Sequence, residues 1–164
     1  MKTPKGAPFS SKGCYLKFNT DGSVTINMGG AEVGQGLRTV VRQIAAESLK
    51  MPPEKIRVYT EIDTQFSPWE WQTIGSMFTL QGGMAIVKAT NRAIAMMKKT
   101  AAQALRVEEE HLDYDGEYVF LKNDPELKIP VHQLVRGYMY ENGMVAGEVV
   151  QATSDGRLPR YSGA

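Results

Sequence analysis

The chain has 164 residues, of which 42% are hydrophobic, 23% charged and 9% aromatic. This is the size of one globular domain, or of two small lobes packed together, with enough apolar residues to form a core. The 19 basic and 18 acidic residues leave a net charge of +1, which argues against proteins that coat nucleic acid or bind membranes through basic residues. We therefore expect neither nucleic acid nor a membrane as a partner.

Several other protein classes are excluded by what the sequence lacks. No apolar stretch approaches the roughly 20 residues of a membrane span, and the first residues lack the apolar segment of a secretory signal. The one cysteine, Cys14, excludes an internal disulfide framework, a cysteine-rich zinc site and an iron–sulfur cluster held by this chain alone. A cytoplasmic location is the resulting expectation.

The N-terminal part of the chain predicts a β-hairpin. Residues 1–12 are rich in Lys, Pro, Gly and Ser and are predicted to be a flexible lead-in to a single α+β domain over residues 13–164. Apolar residues alternate over 14–18 and again over 24–28, as in half-buried strands. Asn19-Thr20-Asp21-Gly22 between them has turn chemistry.

Two helices and a third strand are predicted next. Apolar residues recur at helical spacing from Leu37 to about Lys50, and the following prolines end this helix. Alternation then predicts a strand over 56–62, which is followed by an irregular segment over 63–75. A long helix is predicted from about residue 79 to 105, and its many small residues indicate burial on more than one side.

The remainder of the chain predicts smaller elements. A second hairpin is expected around Tyr114-Asp115-Gly116-Glu117, because Asp-Gly favours two-residue turns. A short helix is expected within 129–140, and extended or irregular chain from Met144 onward. The predicted order is β-β-α-β-α-β-β, with two main helices packed on a mixed or antiparallel sheet, which is an α+β fold.

The glycine-rich loop from Gly29 to Gly36 is the first candidate site. It follows a predicted strand and precedes a helix, where free backbone N–H groups and the helix dipole favour an anion. The Walker A pattern fails because Gly34 is followed by Gln35 and Gly36 rather than by Lys and Ser or Thr. The dinucleotide pattern G-x-G-x-x-G is also absent. A purely structural turn is the alternative, and the sequence leaves both open.

The irregular segment from Asp63 to Ser76 is the second candidate site. It too ends where a helix is predicted to begin, and it carries the hydroxyl groups of Thr73 and Ser76. One interpretation is that Thr73 or Ser76 caps the long helix. The other is that the segment offers N–H and hydroxyl groups to a polar ligand. Two such loops could converge on one elongated polar ligand, which residue spacing alone does not decide.

The other polar and aromatic residues are assigned structural roles. His111 and His132 have no partner pattern and are expected at the surface, and the three glutamates at 108–110 are expected in a solvated turn. Trp69 and Trp71 are expected to pack against the neighbouring helix. The single cysteine is expected to be a small core residue. No catalytic residue and no metal ligand is predicted in this chain.

Taken together, the two loops resemble the molybdopterin-binding domain of the xanthine dehydrogenase and aldehyde oxidase family. The resemblance is firm over about residues 24–104 and looser beyond. It is carried by NMGGAEVGQGLRT at 27–39, QIAAE at 43–47, Asp63-Thr64, Pro68, Thr73-x-Gly75-Ser76 and the alanine-rich helix that follows Gly82 and Gly83.

The resemblance implies a cofactor and a set of residues that contact it. In that family a dithiolene on the pterin, rather than a protein side chain, holds the molybdenum. The residues of this chain that would contact molybdopterin, in its simple or dinucleotide form, are Gly34, Gln35, Gly36, Thr73, Gly75 and Ser76. The first three would contact the pterin, and the last three would lie near its metal end.

The resemblance also implies a reaction and partners. Enzymes of the family hydroxylate an aldehyde or an N-heterocycle carbon with oxygen from water, using a glutamate as base. Their electrons leave through iron–sulfur clusters to a flavin or another acceptor. The implied partners are the remaining parts of the molybdopterin domain and iron–sulfur and flavin subunits or domains.

The chain also departs from the family pattern. The Gly-Gly-Gly-Phe-Gly-Gly loop, the Arg-Gly loop near the metal and the Gly-x-Gly-Glu segment with the catalytic base are absent, and Met77 stands where many relatives carry arginine. We therefore expect a cofactor-binding portion of a molybdenum hydroxylase, inactive and without cofactor when alone, with exposed apolar surface that favours self-association. A non-catalytic subunit-interaction module and a generic phosphate-ligand-binding domain remain as alternatives.

Overall fold

A four-stranded sheet carries both candidate loops in the computed structural model, which describes residues 11–156. Short 3₁₀ turns at Pro53–Lys55 and Glu109–His111 precede two of the strands. The elements in chain order are β1 (Lys12–Phe18), β2 (Val24–Asn27), α1 (Leu37–Leu49), β3 (Ile56–Tyr59), α2 (Phe78–Leu105), β4 (Leu112–Tyr114), β5 (Tyr118–Leu121), β6 (Asp124–Pro130), α3 (Val131–Leu134), β7 (Arg136–Met139), β8 (Val145–Val149) and β9 (Gln151–Gly156).

The main sheet has the strand order β3-β2-β1-β9. β1 pairs antiparallel with β2 and β9, whereas β2 pairs parallel with β3 through the α1 crossover. The predicted α+β class with a mixed sheet is therefore confirmed, and so is the first hairpin. The glycine-rich loop lies at the carboxyl end of β2, between the strand and the helix of a parallel β-α-β unit, where the backbone N–H groups of a helix start point at an anion.

The core lies between this sheet and the two long helices. Cys14, Leu16, Val24 and Ile26 are fully buried, in the alternating pattern that predicts β1 and β2. Burial raises the pKa of the Cys14 thiol to about 12, so this cysteine is the small core residue that was expected and not a nucleophile.

The long helix α2 is buried on more than one side, as its small residues predict. It contacts β1 and β9 of the main sheet and also α1 and β8. Ala85, Ala89 and Ala93 are fully buried, and their short side chains allow the backbones of neighbouring elements to approach closely. The observed start at Phe78 is one residue from the predicted one.

The C-terminal part forms more strands than the sequence predicts. The second hairpin, β4 with β5, and the short helix α3 are confirmed, but β6 is a further strand that pairs with β5. β7 and β8 form a separate antiparallel pair. β6 was missed because most of its residues are polar and exposed, so that it lacks an apolar alternation.

β9 lies where the sequence predicts only extended or irregular chain, and it is a strand of the main sheet. Its sequence, QATSDG, has little apolar character, and it is held by the edge of β1 and by α2. Lys88 of α2 donates a hydrogen bond to the Asp155 carbonyl at 2.9 Å, and the Ser154 hydroxyl donates to the Ala85 carbonyl. Backbone pairing and helix contacts therefore place β9, rather than its own composition.

The predicted lead-in over 1–12 differs from the structure where the two can be compared. Residues 1–10 lie outside the described residues. Ser11 is 6% exposed and Lys12 is fully buried, and Lys12 is the first residue of β1. The polar composition of this segment suggested a solvated chain, but a buried ionic partner, described below, accounts for the burial of Lys12.

Two glycine-to-alanine variants test how closely the β4–β5 turn approaches the end of α1. A Cβ on Gly116, which has a φ of +108°, would lie 2.0 Å from the Lys50 carbonyl oxygen, whereas one on Gly143, with a φ of +80°, would meet nothing within 4 Å. We expect Gly143→Ala to lower the free energy of unfolding by about 1–2 kcal/mol through backbone strain alone. Gly116→Ala should cost about 1–3 kcal/mol more, because a backbone must move. Urea unfolding measures both, and equal losses would contradict the predicted close contact.

Candidate functional site

The glycine-rich loop is shaped by two glycines in the left-handed region. Gly34 has a φ of +95° and Gly36, the N-cap of α1, has a φ of +77°. A Cβ on either residue would meet nothing within 4 Å. The glycines are therefore required by backbone conformation and not by crowding, and the space in front of the loop is open.

Backbone N–H groups of this loop converge on a carboxylate. The amides of Gly34 and Gly36 donate to Glu32 Oε1 at 3.0 and 3.1 Å, and the Arg38 amide donates to Glu32 Oε2 at 3.3 Å. Desolvation acts to raise the pKa of Glu32, but these backbone hydrogen bonds outweigh it and the pKa is lowered. The start of α1 therefore holds an anion, and that anion is the loop's own side chain.

Gln35 closes the loop with two further hydrogen bonds. Its Oε1 accepts from the Val33 amide at 2.7 Å, and its Nε2 donates to the Ala31 carbonyl at 2.8 Å. The side chain is nevertheless exposed. Its amide can therefore exchange a loop contact for a ligand that offers the same donors and acceptors, at little net cost in hydrogen bonds.

The segment from Asp63 to Ser76, the second loop, is joined to the glycine-rich loop by Thr73. The Thr73 Oγ1 accepts a hydrogen bond from the Ala31 amide at 3.0 Å, across 42 residues of sequence. The structure thus brings together the two segments that the sequence analysis singled out. This hydrogen bond is the most direct sign that the two segments form one site.

Neither Thr73 nor Ser76 caps the long helix, so that interpretation was wrong. The N-cap of α2 is Met77, which makes no side-chain capping hydrogen bond. Gly75 and Ser76 have φ values of +63° and +54° and are exposed at the helix start. Among the described residues they make no hydrogen bond to the glycine-rich loop. A non-glycine residue in the left-handed region carries strain of about 1–2 kcal/mol, so the backbone of Ser76 is strained at this position.

A buried ion pair that the sequence analysis missed lies beneath the second loop. The side chains of Lys12 and Glu70 are 0% and 8% exposed, and the Lys12 ammonium donates hydrogen bonds to Glu70 Oε1 and to the Gln72 carbonyl. Burial raises the pKa of Glu70, although Lys12 and Thr73 act to lower it. A lysine at the first position of a strand and a glutamate between two tryptophans carry no periodic signal, so no sequence pattern indicated this pair.

Two glycines allow the second loop to lie against the first hairpin. A Cβ on Gly13 would lie 2.6 Å from the Pro68 Cβ, and one on Gly29 would lie 2.5 Å from the Glu70 Cβ. The Gly13 amide also donates to the Trp69 carbonyl at 2.7 Å. The segment from Pro68 to Glu70 therefore behaves as a short extra strand beside β1, with an isolated bridge between Lys12 and Glu70.

Apolar side chains are exposed on the same two loops. Trp69 is 64% exposed, so the expectation that it packs against the neighbouring helix was wrong; its backbone pairing with Gly13 turns the side chain outward. Trp71 is half-buried. Other large apolar side chains exposed on or beside these loops are Val33, Ile62, Phe66 and Ile74.

The histidines and acidic residues form no further site. His111 and His132 are exposed, as expected, and residues 108–110 lie in a solvated turn. Over residues 11–156, no group of three or more His, Cys, Asp or Glu side chains is arranged to hold a metal ion. Within the same range, no helix is both long and apolar enough to cross a membrane.

Comparison with known proteins identifies the domain type. The family model described as molybdopterin cofactor-binding domain matches residues 1–161. The large chain of carbon monoxide dehydrogenase from Hydrogenophaga pseudoflava is 36% identical over 111 residues, which are 68% of this chain and 14% of that protein. Xanthine dehydrogenase from Oryza sativa subsp. japonica is 33% identical over 108 residues, 63% of this chain and 8% of that enzyme.

A solved structure agrees with the sequence comparisons. The crystal structure of a Cu,Mo-containing carbon monoxide dehydrogenase, in its carbon monoxide reduced state, superposes with a TM-score of 0.78 at 26% identity. The superposition covers 94% of this chain and 19% of that one. The chain therefore spans less than a fifth of the length of each of these relatives.

The buried ion pair is tested by a double-mutant cycle. Lys12→Met and Glu70→Leu should each lower the free energy of unfolding by about 3–5 kcal/mol, because each leaves a buried charge without its partner. The double variant should lie within about 1 kcal/mol of the wild type, since it removes both charges. Urea denaturation gives all four values. Additive losses in the double variant would contradict a buried, coupled pair.

The Glu32 contacts predict an acid-dependent loop. Because the pKa of Glu32 is lowered in the folded state, the stabilisation from these hydrogen bonds is fully present above the pKa that Glu32 has in the unfolded chain. It is lost as the pH falls through the pKa that Glu32 has in the folded chain. The NMR amide signals of Gly34 and Gly36 should therefore titrate together, with a midpoint below the ordinary glutamate value of 4.5. Glu32→Gln should abolish that titration while signals of β1 stay unchanged. A midpoint at or above 4.5 would refute the contacts.

Proposed function

The chain belongs to the molybdopterin cofactor-binding domain family, and we propose that its two joined loops hold the pterin cofactor of a molybdenum hydroxylase. One observation carries the proposal. The Ala31 amide and the Thr73 hydroxyl join the two segments that bear the family's motifs, at 3.0 Å. Residues 42 positions apart thereby share one surface, as a cofactor that spans both segments would require.

The donor set of the glycine-rich loop fits such a cofactor. The amides of Gly34, Gly36 and Arg38 already hold a carboxylate, so the same donors suit a phosphate or another anionic oxygen. The Gln35 amide offers both a donor and an acceptor, which suits a pterin ring with mixed polar edges. Because a Cβ on Gly34 or Gly36 would meet open space, nothing on this chain blocks an approach to the backbone.

The proposed roles follow from these contacts. An anionic group that binds to the Gly34 and Gly36 amides takes the place of the Glu32 carboxylate, which then moves into solvent. When bound, the cofactor would supply the redox chemistry, as an acceptor for the electrons released when the substrate is hydroxylated with oxygen from water. The residues of this chain proposed to hold it are Gly34, Gln35, Gly36, Thr73, Gly75 and Ser76.

Reaction, partners and location are proposed for the whole enzyme rather than for this chain. We propose hydroxylation of an aldehyde or N-heterocycle carbon, with the base and the substrate-facing loops supplied from outside these residues. Iron–sulfur and flavin subunits or domains would carry the electrons. We propose a cytoplasmic location for the enzyme as well.

We also propose that this chain does not retain the cofactor alone. Four of its six candidate residues are exposed, and Gly36 and Thr73 are half-buried; hydrogen bonds in water contribute only about 0.5–1.5 kcal/mol each. The side chains of Val33, Phe66 and Trp69 beside them are 80%, 79% and 64% exposed. Covering this apolar rim with another part of the enzyme would exclude water and strengthen each polar contact. The same rim favours a subunit-interaction role as the second candidate function.

Cofactor retention separates these two functions. In the assembled enzyme, Gln35→Ala and Gly36→Ala should each weaken molybdopterin binding about tenfold or more, equal to about 1.4 kcal/mol of binding free energy, and so lower the molybdopterin content. The matched control is Gly22→Ala, because Gly22 has nearly the same φ, +76° against +77°, and equally open surroundings, but lies in the distant β1–β2 turn.

The measurement is pterin fluorescence after oxidative release, together with molybdenum by elemental analysis, on complexes whose assembly is verified by gel filtration. Full cofactor content in both site variants would leave the interaction module as the better function. A parallel titration of the chain with ATP and NAD tests the generic phosphate-ligand alternative, for which we expect no binding.

A further inference from the structure

We propose that Lys12 and Glu70 are positioning residues that set the placement of the second loop against the glycine-rich loop. This role rests on the proposed function, since the placement concerns the cofactor. The two side chains make no contact with the exposed face of the loops; they lie beneath it, 0% and 8% exposed. They would therefore act on the cofactor only through the residues that they hold.

The Lys12 ammonium contacts both ends of the segment that carries the candidate residues. It donates to Glu70 Oε1 and to the Gln72 carbonyl, directly before Thr73. It also lies 5.6 Å from the ring centroid of Phe78, the first residue of α2. A single buried charge on β1 thus holds the beginning of the segment and faces the helix start that follows Ser76.

The link continues from Glu70 to the first loop. The Thr73 hydroxyl donates to Glu70 Oε1 at 3.5 Å and accepts from the Ala31 amide at 3.0 Å. Gly29 lies against the Glu70 side chain, where no Cβ would fit. The contacts therefore form one series, from the Lys12 ammonium through Glu70 and Thr73 to the backbone of the glycine-rich loop.

The chemistry of the Lys12–Glu70 pair indicates that it fixes the position of the second loop rather than adding to the stability of the fold. Glu70 Oε2 is buried and accepts no hydrogen bond from any residue in the described range. An unpaired buried carboxylate oxygen is costly, and apolar residues at both positions would avoid that cost. A charged pair, unlike an apolar contact, accepts only a narrow range of distances and directions, so it specifies where Glu70 and Thr73 lie.

An exposed ion pair elsewhere in the chain provides the control. Arg38 and Glu61 are 3.5 Å apart, with side chains 50% and 71% exposed, and such pairs contribute little. Glu61→Gln removes the same kind of charge as Glu70→Gln without disturbing the second loop. Glu70→Gln leaves Lys12 without its partner and could fail to fold. The double variant Lys12→Met/Glu70→Leu therefore serves as a second test, because it removes the pair and replaces both charges with apolar side chains.

The first experiment measures loop placement without any cofactor. In NMR spectra of the full chain, the Ala31 amide proton should show a through-space cross-peak to the Thr73 methyl group. We expect this cross-peak to be lost in Glu70→Gln and in the double variant, while cross-peaks between β1 and β2 persist. It should be retained in Glu61→Gln.

The second experiment measures the cofactor in the assembled enzyme. The half-time of molybdopterin release after dilution should shorten about tenfold in Glu70→Gln and in the double variant, and stay unchanged in Glu61→Gln. A retained Ala31–Thr73 cross-peak in the double variant, or unchanged release from it, would overturn the proposal. Because the cross-peak requires no cofactor, a failure of the proposed function would appear in the Gln35 and Gly36 variants and leave the NMR result intact.

Discussion

The buried ion pair between Lys12 and Glu70 is the constraint on which the arrangement of the site depends. Taking an ammonium and a carboxylate out of water costs several kcal/mol per ion, and only close pairing with further hydrogen bonds offsets that cost. The Gln72 carbonyl, the Phe78 ring and the Thr73 hydroxyl supply those further contacts. Each of these groups must therefore be in place for the pair to be tolerated. As a result, the start of β1, the second loop and the start of α2 have one mutually consistent arrangement.

The glycine-rich loop satisfies a different requirement, because helix α1 begins without a side-chain cap from its N-cap residue Gly36. Free N–H groups at a helix start need acceptors, and Glu32 supplies one carboxylate for the amides of Gly34, Gly36 and Arg38. The loop is thus folded around a negative charge before any ligand is present. A cofactor oxygen would find donors already oriented, which lowers the cost of binding, and it would compete only with a solvent-exposed side chain.

The sequence predicted those parts of the molecule that follow from local pattern. Alternation located β1 and β2, helical spacing located α1, and a segment rich in small residues located α2. The glycine-rich loop between β2 and α1 was also predicted. β9 could not be predicted from its own composition, because the open edge of β1 and the surface of α2 place it. Lys12 and Glu70 are 58 residues apart, and nothing in either local sequence distinguishes a buried charge from a solvated one. The contact between Ala31 and Thr73 depends on that pair, so the joining of the two loops was open until the fold was known.

In the proposed site, the work is therefore divided between residues that would contact the ligand and residues that hold those contacts in position. Exposed amides and hydroxyls are individually weak binding groups, and their combined affinity depends on how little they must reorganise. Glycines permit the conformation of the first loop, but they cannot rigidify it, since glycine has the greatest backbone freedom of any residue. The rigidity must come from elsewhere, and the nearest strong, directional interaction is the ion pair beneath the second loop. Within a molybdopterin-binding domain, the residues that decide cofactor affinity would then include two that never touch the cofactor.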